Sequence, residues 1–146
     1  MHIQTAYGVA CAALLGALSA CADGTQPTFT IAGTYAIYGD VGLIFTTAGR
    51  SCAGARDARS IVGGTSVTVT DLNDITLATG SLGGGTYRRL PDAVSGLHNQ
   101  GVCTFELQVA NVPEGKPFYR VLIGGRRVDQ LSNAQAHRRI ALTFAT

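Results

Sequence analysis

The feature that most constrains this chain is a two-residue alternation of apolar and polar side chains that keeps returning. Ser66-Val67-Thr68-Val69-Thr70-Asp71 shows it, and Cys103-Thr104-Phe105-Glu106-Leu107-Gln108-Val109 shows it again. Successive side chains of a strand point to opposite faces, so this period makes a strand with one buried and one wet face. Phe29, Ile31, Tyr35 and Ile37 share one face of the run 28–38. Ile75–Gly80, Phe118–Ile123 and Ile140–Phe144 alternate in the same way, and Leu43-Ile44-Phe45 reads as a further short strand. The runs are rich in β-branched and aromatic residues, which suit a pleated surface.

Turn chemistry separates the runs. Leu72-Asn73-Asp74 joins two of them, and Asn and Asp tolerate turn geometry, so a hairpin is expected there. The segments 49–64 and 83–101 read as loops, the second opening on Gly83-Gly84-Gly85. Val112-Pro113-Glu114-Gly115-Lys116-Pro117 reads as a turn that its prolines keep out of any central strand. One short helix is expected within Leu131–Arg138, because Ser132 and Gln135 have the spacing of a capping box. Six to seven short antiparallel strands point to an all-β chain, a small β-sandwich over 28–146, with a small barrel as the alternative. Apolar residues make up 46% of the chain, enough for a sizeable core.

Ahead of the strands, Ala6–Ala20 is a run of fifteen residues without a charge. Spanning a bilayer takes roughly 20 apolar residues, so the run fits the middle of a signal peptide covering 1–20. Leu18-Ser19-Ala20-Cys21 then resembles the bacterial lipobox: an aliphatic residue, two small residues and a cysteine. The resemblance implies a mature chain starting at Cys21, with acyl chains holding the protein to the cell membrane on its extracytoplasmic side. Two or more acyl chains anchor stably where one does not. Residues 21–27 would then be a flexible tether.

Cys11 lies inside the apolar run and leaves with it. With Cys21 assigned to lipid, Cys52 and Cys103 remain. In an exported protein two remaining cysteines are expected to pair. Cys103 also falls on the same face as Phe105, Leu107 and Val109, a buried setting. A metal site or a catalytic thiol are the alternatives, but no Cys-x-x-Cys or His-x-x-x-His spacing accompanies them.

Two further resemblances bear on fold. Val67–Asp71, Leu72-Asn73-Asp74 and Ile75–Gly80 resemble the first hairpin of transthyretin-like and related immunoglobulin-like domains. Val112-Pro113 ahead of Phe118-Tyr119-Arg120-Val121 is similar to the segment that introduces their closing strands. The chain departs from antibody-type domains in having no tryptophan. The layout also resembles small actinobacterial lipoproteins, through Cys52-Ala53-Gly54, Gly64–Asp71 and Cys103-Thr104-Phe105. That resemblance implies location and fold, and no activity.

The candidate sites are sparse. Gly83-Gly84-Gly85-Thr86 lacks the Gly-Lys-Ser/Thr ending of a phosphate loop. Asp71-Leu72-Asn73-Asp74 lacks the Gly and distal Glu of a calcium loop. No Gly-x-Ser-x-Gly elbow occurs, and no spacing joins His98 or His137 to a Ser and an Asp. No catalytic residue, metal ligand or cofactor is therefore expected. A net charge of +2 also argues against a nucleic-acid partner. Three arginine pairs stand out: Arg88-Arg89, Arg126-Arg127 and Arg138-Arg139. The half from Gly84 onward carries eight basic and four acidic residues. If each pair lies on a strand, one guanidinium of each can share a surface that attracts anionic polymers or headgroups.

These readings lead to one expectation: a non-enzymatic, lipid-anchored binding or accessory module of the cell envelope, with 49–64 and 83–101 as its adaptable surface. The alternatives are a structural subunit lending an edge strand to an envelope complex, and a hydrolase using His98 or His137.

Overall fold

The computed structural model describes residues 24–39, 44–46, 51–91 and 100–144. The expected signal peptide 1–20, Cys11, Cys21, Leu43 and His98 lie outside them. So do residues 21–23 of the expected tether, 49–50 of the first expected loop and 92–99 of the second.

Nine strands form: β1 (Thr28–Gly39), β2 (Ile44–Thr46), β3 (Ser51–Gly54), β4 (Ser66–Thr70), β5 (Thr76–Arg89), β6 (Gly101–Pro113), β7 (Phe118–Ile123), β8 (Arg126–Ser132) and β9 (Ile140–Thr143). A single helical turn, α1 (Asn133–Ala136), stands between β8 and β9. The strands make one hydrogen-bonded sheet in the order β8-β7-β4-β5-β6-β1-β9, with β2 on β3 and β3 on β5. The expected all-β fold with one disulfide is what forms.

The fourteen-residue β5 folds this sheet over on itself. Its first half, Thr76–Ser81, pairs with β4. Its second half pairs with β6 up to Arg89, and Gly85 and Thr86 also meet Cys52 and Ser51 of β3. The register slips between Leu82 and Gly85. A strand that bends through such an irregularity can serve two layers at once. One layer is β8-β7-β4-β5 and the other β5-β6-β1-β9, and their inner faces form the core.

Alternation decides what goes inside. In β6, Cys103, Phe105, Leu107 and Val109 are buried while Glu106 and Gln108 are exposed. Val67 and Val69 of β4 and Tyr119, Val121 and Ile123 of β7 close the other layer. Each such side chain contributes roughly 1.5–3 kcal/mol by leaving water. Near the end of β6 the period breaks, where Asn111 takes φ 58° and the β1–β6 register shifts between Phe29 and Ile31. Asn tolerates that left-handed conformation, and the shift brings Val112 back to the buried face.

Four sequence expectations are corrected. Gly83–Gly85 does not open a loop: the backbone stays in β5 to Arg89. Gly85 must lack a Cβ because the atom would overlap the Cys52 carbonyl and come 2.8 Å from the Phe105 ring. Within 49–64, Ser51–Gly54 is a strand rather than loop. The six to seven strands become nine, the additions being β3 and β8. Finally, β9 runs parallel to β1, Gly33 opposite Ile140, within an otherwise antiparallel set. The reason is topological: β8 ends where β1 begins, α1 turns the chain there, and both β1 and β9 leave from that end.

Cys52 and Cys103 are bonded, with Cα atoms 5.9 Å apart and a separation of 51 positions in sequence. The bridge ties β3 to the middle of the second layer, inside the core.

Candidate functional site

The end of the fold where β1 begins gathers most of the polar structure. The Glu114 amide donates to Pro27 O at 2.8 Å, and Gln26 Nε2 donates to Glu114 O at 3.1 Å. The incoming chain is therefore sewn to the β6–β7 turn. That turn is pinned from inside by Tyr119. Its hydroxyl donates to Pro113 O at 3.0 Å and accepts from the Lys116 amide at 3.3 Å. A buried tyrosine hydroxyl needs such partners, and these keep the turn in one shape.

The β4–β5 hairpin lies beside this turn. Asp71 is buried, and its Oδ1 accepts from the amides of Asn73 and Ile75 at 2.9 and 3.1 Å. Its Oδ2 meets Lys116 Nζ at 3.3 Å. Burial alone would raise the Asp71 pKa, but the two amide bonds and the lysine outweigh it and hold the carboxyl below its ordinary value. The hairpin expected at Leu72-Asn73-Asp74 is thus formed, with the Asp71 carboxylate bonding its backbone and Asp74 at φ 60°. Between the two turns runs a groove of about 300 Å³ lined by Leu72, Asn73, Lys116, Pro117 and Phe118 with Asp71 at its base.

Three side chains close the opposite flank of this end. His137 stacks on Phe29 with ring centroids 4.0 Å apart, and Phe29 meets Tyr119 edge-on at 5.4 Å. His137 Nδ1 faces the Asn133 carbonyl at 2.8 Å and Nε2 faces Glu114 Oε1 at 3.0 Å. Both partners only accept, so both ring nitrogens donate and the imidazolium is the form that fits. The Asn133 carbonyl and then Glu114 raise the His137 pKa. The capping box places Asn133: Gln135 N donates to Ser132 Oγ and Ser132 N to Gln135 Oε1. His137 is thus a clasp between α1 and the β6–β7 turn.

The arginine pairs lie in β5, in β8 and in the connection from α1 to β9. Arg88 and Arg89 lie at the end of β5, opposite Val102 and Gly101. Arg126 and Arg127 begin β8, and Arg126 sits 5.5 Å over the Phe144 ring. Arg127 and Arg120 share Asp74 at 3.5 and 2.7 Å. Arg139 pairs with Glu106 at 2.6 Å. Arg138 and Arg139 do not lie on a strand but in the connection from α1 to β9. The alternation that would aim one guanidinium of each pair at a common surface does not apply to them. Arg127 and Arg139 spend their charge on carboxylates, and Arg126 covers a ring.

Near Arg126 the sheet fails to close between β8 and β9. A crevice of about 70 Å³ remains there, with Tyr35, Thr143 and Phe144 in its wall. Burial pushes the Tyr35 hydroxyl pKa up, and Arg126 pulls it partly back. Among the described residues no three of His, Cys, Asp and Glu gather as a metal-ligand set. No helix among them is long and apolar enough to cross a membrane.

Sequence reasoning singled out neither the Asp71–Lys116 pair nor the clasp of His137 on Phe29 and Glu114. The partners are 45 and 23 residues apart, so no local spacing signals them. Comparison of the chain with protein-family models, with curated proteins and with solved structures found no match.

Proposed function

We propose that this chain is an exported domain, held by lipid on Cys21 to the extracytoplasmic side of the cell membrane, that works as a non-enzymatic binding or accessory module. The observation that carries the reading is the Cys52–Cys103 bridge at the centre of the core. Disulfides persist in oxidising compartments outside the cytosol. The apolar run Ala6–Ala20 and Leu18-Ser19-Ala20-Cys21 support it as address and anchor. The likeness to small actinobacterial lipoproteins with transthyretin-like or immunoglobulin-like sandwiches supports the same location.

The structural-subunit alternative, pairing through a free edge, finds less support at β8 than at β9, whose Ile140–Thr143 carries no charge. Edge strand β8 presents Arg126, Arg127 and Asp129, and charged side chains on an edge discourage strand addition. The hydrolase alternative finds none in His137, whose two ring nitrogens are committed to Asn133 and Glu114.

The test is the mass and location of the exported protein. A chain beginning at Cys21 with a diacylglyceryl adduct, found with membranes, is the expected result. Cys21→Ala should leave it unprocessed or release it into the soluble fraction. Unmodified Cys21 together with unchanged membrane association of Cys21→Ala would overturn the reading.

A further inference from the structure

We infer that the end of the fold bearing Leu72, Ile75 and Phe118 rests against the lipid surface. This inference rests on the anchor at Cys21 proposed above. Among the described residues five large hydrophobic side chains are exposed. Two of them, Tyr38 and Val62, are elsewhere in the fold. The other three, Leu72 at 41%, Ile75 at 59% and Phe118 at 39%, belong to the β4–β5 turn and the start of β7. Leu72 and Phe118 line one groove, and Ile75 lies in the same hairpin turn as Leu72, its amide bonded to Asp71. Clustered exposed apolar residues mark a surface that meets something other than water.

The course of the chain says what that something is. Pro27 and Gln26 are bonded to Glu114, at the β6–β7 turn. Lys116, Pro117 and Phe118 follow directly in that turn. The apolar residues therefore sit at the end of the fold where the tether arrives. From Cys21 to Thr28 the chain can reach at most about 25 Å. Along β1 from Thr28 to Tyr38 the backbone rises roughly 33 Å. A lipid on Cys21 thus holds the Leu72–Phe118 end close to the bilayer and leaves Tyr38 at the far end.

Charge agrees. Among the described residues the carboxylates of these turns are matched: Asp71 by Lys116, Asp74 by Arg120 and Arg127, Glu114 by His137. The patch therefore approaches a lipid surface without unpaired negative charge, and aliphatic and aromatic side chains can enter the headgroup boundary.

The chain has no tryptophan, so single substitutions report depth cleanly. The full-length lipidated protein, carrying Phe118→Trp, Ile75→Trp or Tyr38→Trp, would be placed in phosphatidylcholine–phosphatidylglycerol vesicles with brominated acyl chains. We expect blue-shifted emission and loss of fluorescence by bromine for Phe118→Trp and Ile75→Trp, with Tyr38→Trp unchanged. Ile75→Trp, at the more exposed position, stands in should Phe118→Trp not fold. Lipidated, vesicle-bound protein with no quenching, or with equal quenching at all three positions, overturns this inference and leaves the anchor reading intact. Quenching at positions 75 and 118 in a protein whose Cys21 mass shows no lipid overturns the anchor reading and upholds the lipid contact. Protein that is neither lipidated nor vesicle-bound overturns both.

Discussion

His137 Nε2 stands 3.0 Å from Glu114 Oε1, across 23 residues of sequence. The contact closes α1 onto the turn that receives the incoming chain. Because the His137 pKa is raised above its ordinary 6.5, the folded state binds that proton more tightly than the unfolded chain does. The stability this contributes is fully present below pH 6.5 and is lost as pH rises through the raised folded value. Unfolding midpoints measured across that window should fall for the wild type and stay flatter for His137→Phe. Glu114→Gln should bring the histidine titration, followed by proton NMR, back toward 6.5. A wild-type midpoint that rises through the window would contradict the clasp.

Asp71 has the opposite sign. Its folded pKa lies below the ordinary 3.8, so its contribution is present above that value and lost as pH falls through the folded one. Asp71→Asn should lose part of the acid dependence and destabilise the hairpin at neutral pH. Lys116→Met should remove the ion pair but leave the amide bonds, and so be the milder change. The check is acid titration followed by circular dichroism.

The bridge closes a loop of 51 residues, worth roughly 4 kcal/mol in the chain-entropy account. Cys103→Ala should lower the unfolding free energy by about 2–5 kcal/mol. Alkylation of the natively exported, non-reduced protein should find no thiol at Cys52 or Cys103. Reactive thiol at either position would count against the pairing.

Gly84 and Gly85 are neighbours with different roles. A Cβ on Gly84 meets nothing within 4 Å, whereas one on Gly85 overlaps Cys52 O and lies 3.0 Å from Cys103 Sγ. Gly85→Ala should therefore cost on the order of 1–3 kcal/mol, as overpacking does. Gly84→Ala should fall within about 0.5 kcal/mol of the parent. Denaturant melts of the two variants decide this, and equal midpoints would show that β5 does not need its close approach to β3.

The arginines should act one at a time. Arg126→Gln loses the contact with Phe144 and should cost about 0.5–1 kcal/mol. Arg88→Gln, at an exposed position, should stay within about 0.5 kcal/mol. A triple Gln variant at Arg88, Arg126 and Arg138 whose cost exceeds the sum of its parts would show that the three pairs share a surface.

Strand identity was legible in sequence wherever a strand has one wet face. Cys103 to Val109 and Ser66 to Thr70 alternate because the core takes every second side chain. The short helix was legible too, since the Ser132–Gln135 capping box is made within four residues. β8 was not, because an edge strand with only Leu131 buried has no apolar period to read. Nor was the second half of β5, since a glycine triplet signals a loop until one knows that Cys52 presses against it.

By itself, then, the sequence determined the β-rich class, the hairpin around Asp71, the buried face that Cys103 occupies and the lone helical turn. These are local, set by side-chain period and by bonds within a few residues. Only the tertiary structure decided the parallel docking of β9 on β1, the folding of one sheet into two layers at β5, and the placing of Arg138 and Arg139 off any strand. It also decided the meeting of Asp71 with Lys116 and of His137 with Glu114. Those relationships depend on which distant segments lie side by side, and loop closure across dozens of residues leaves no mark on neighbouring residues in the chain.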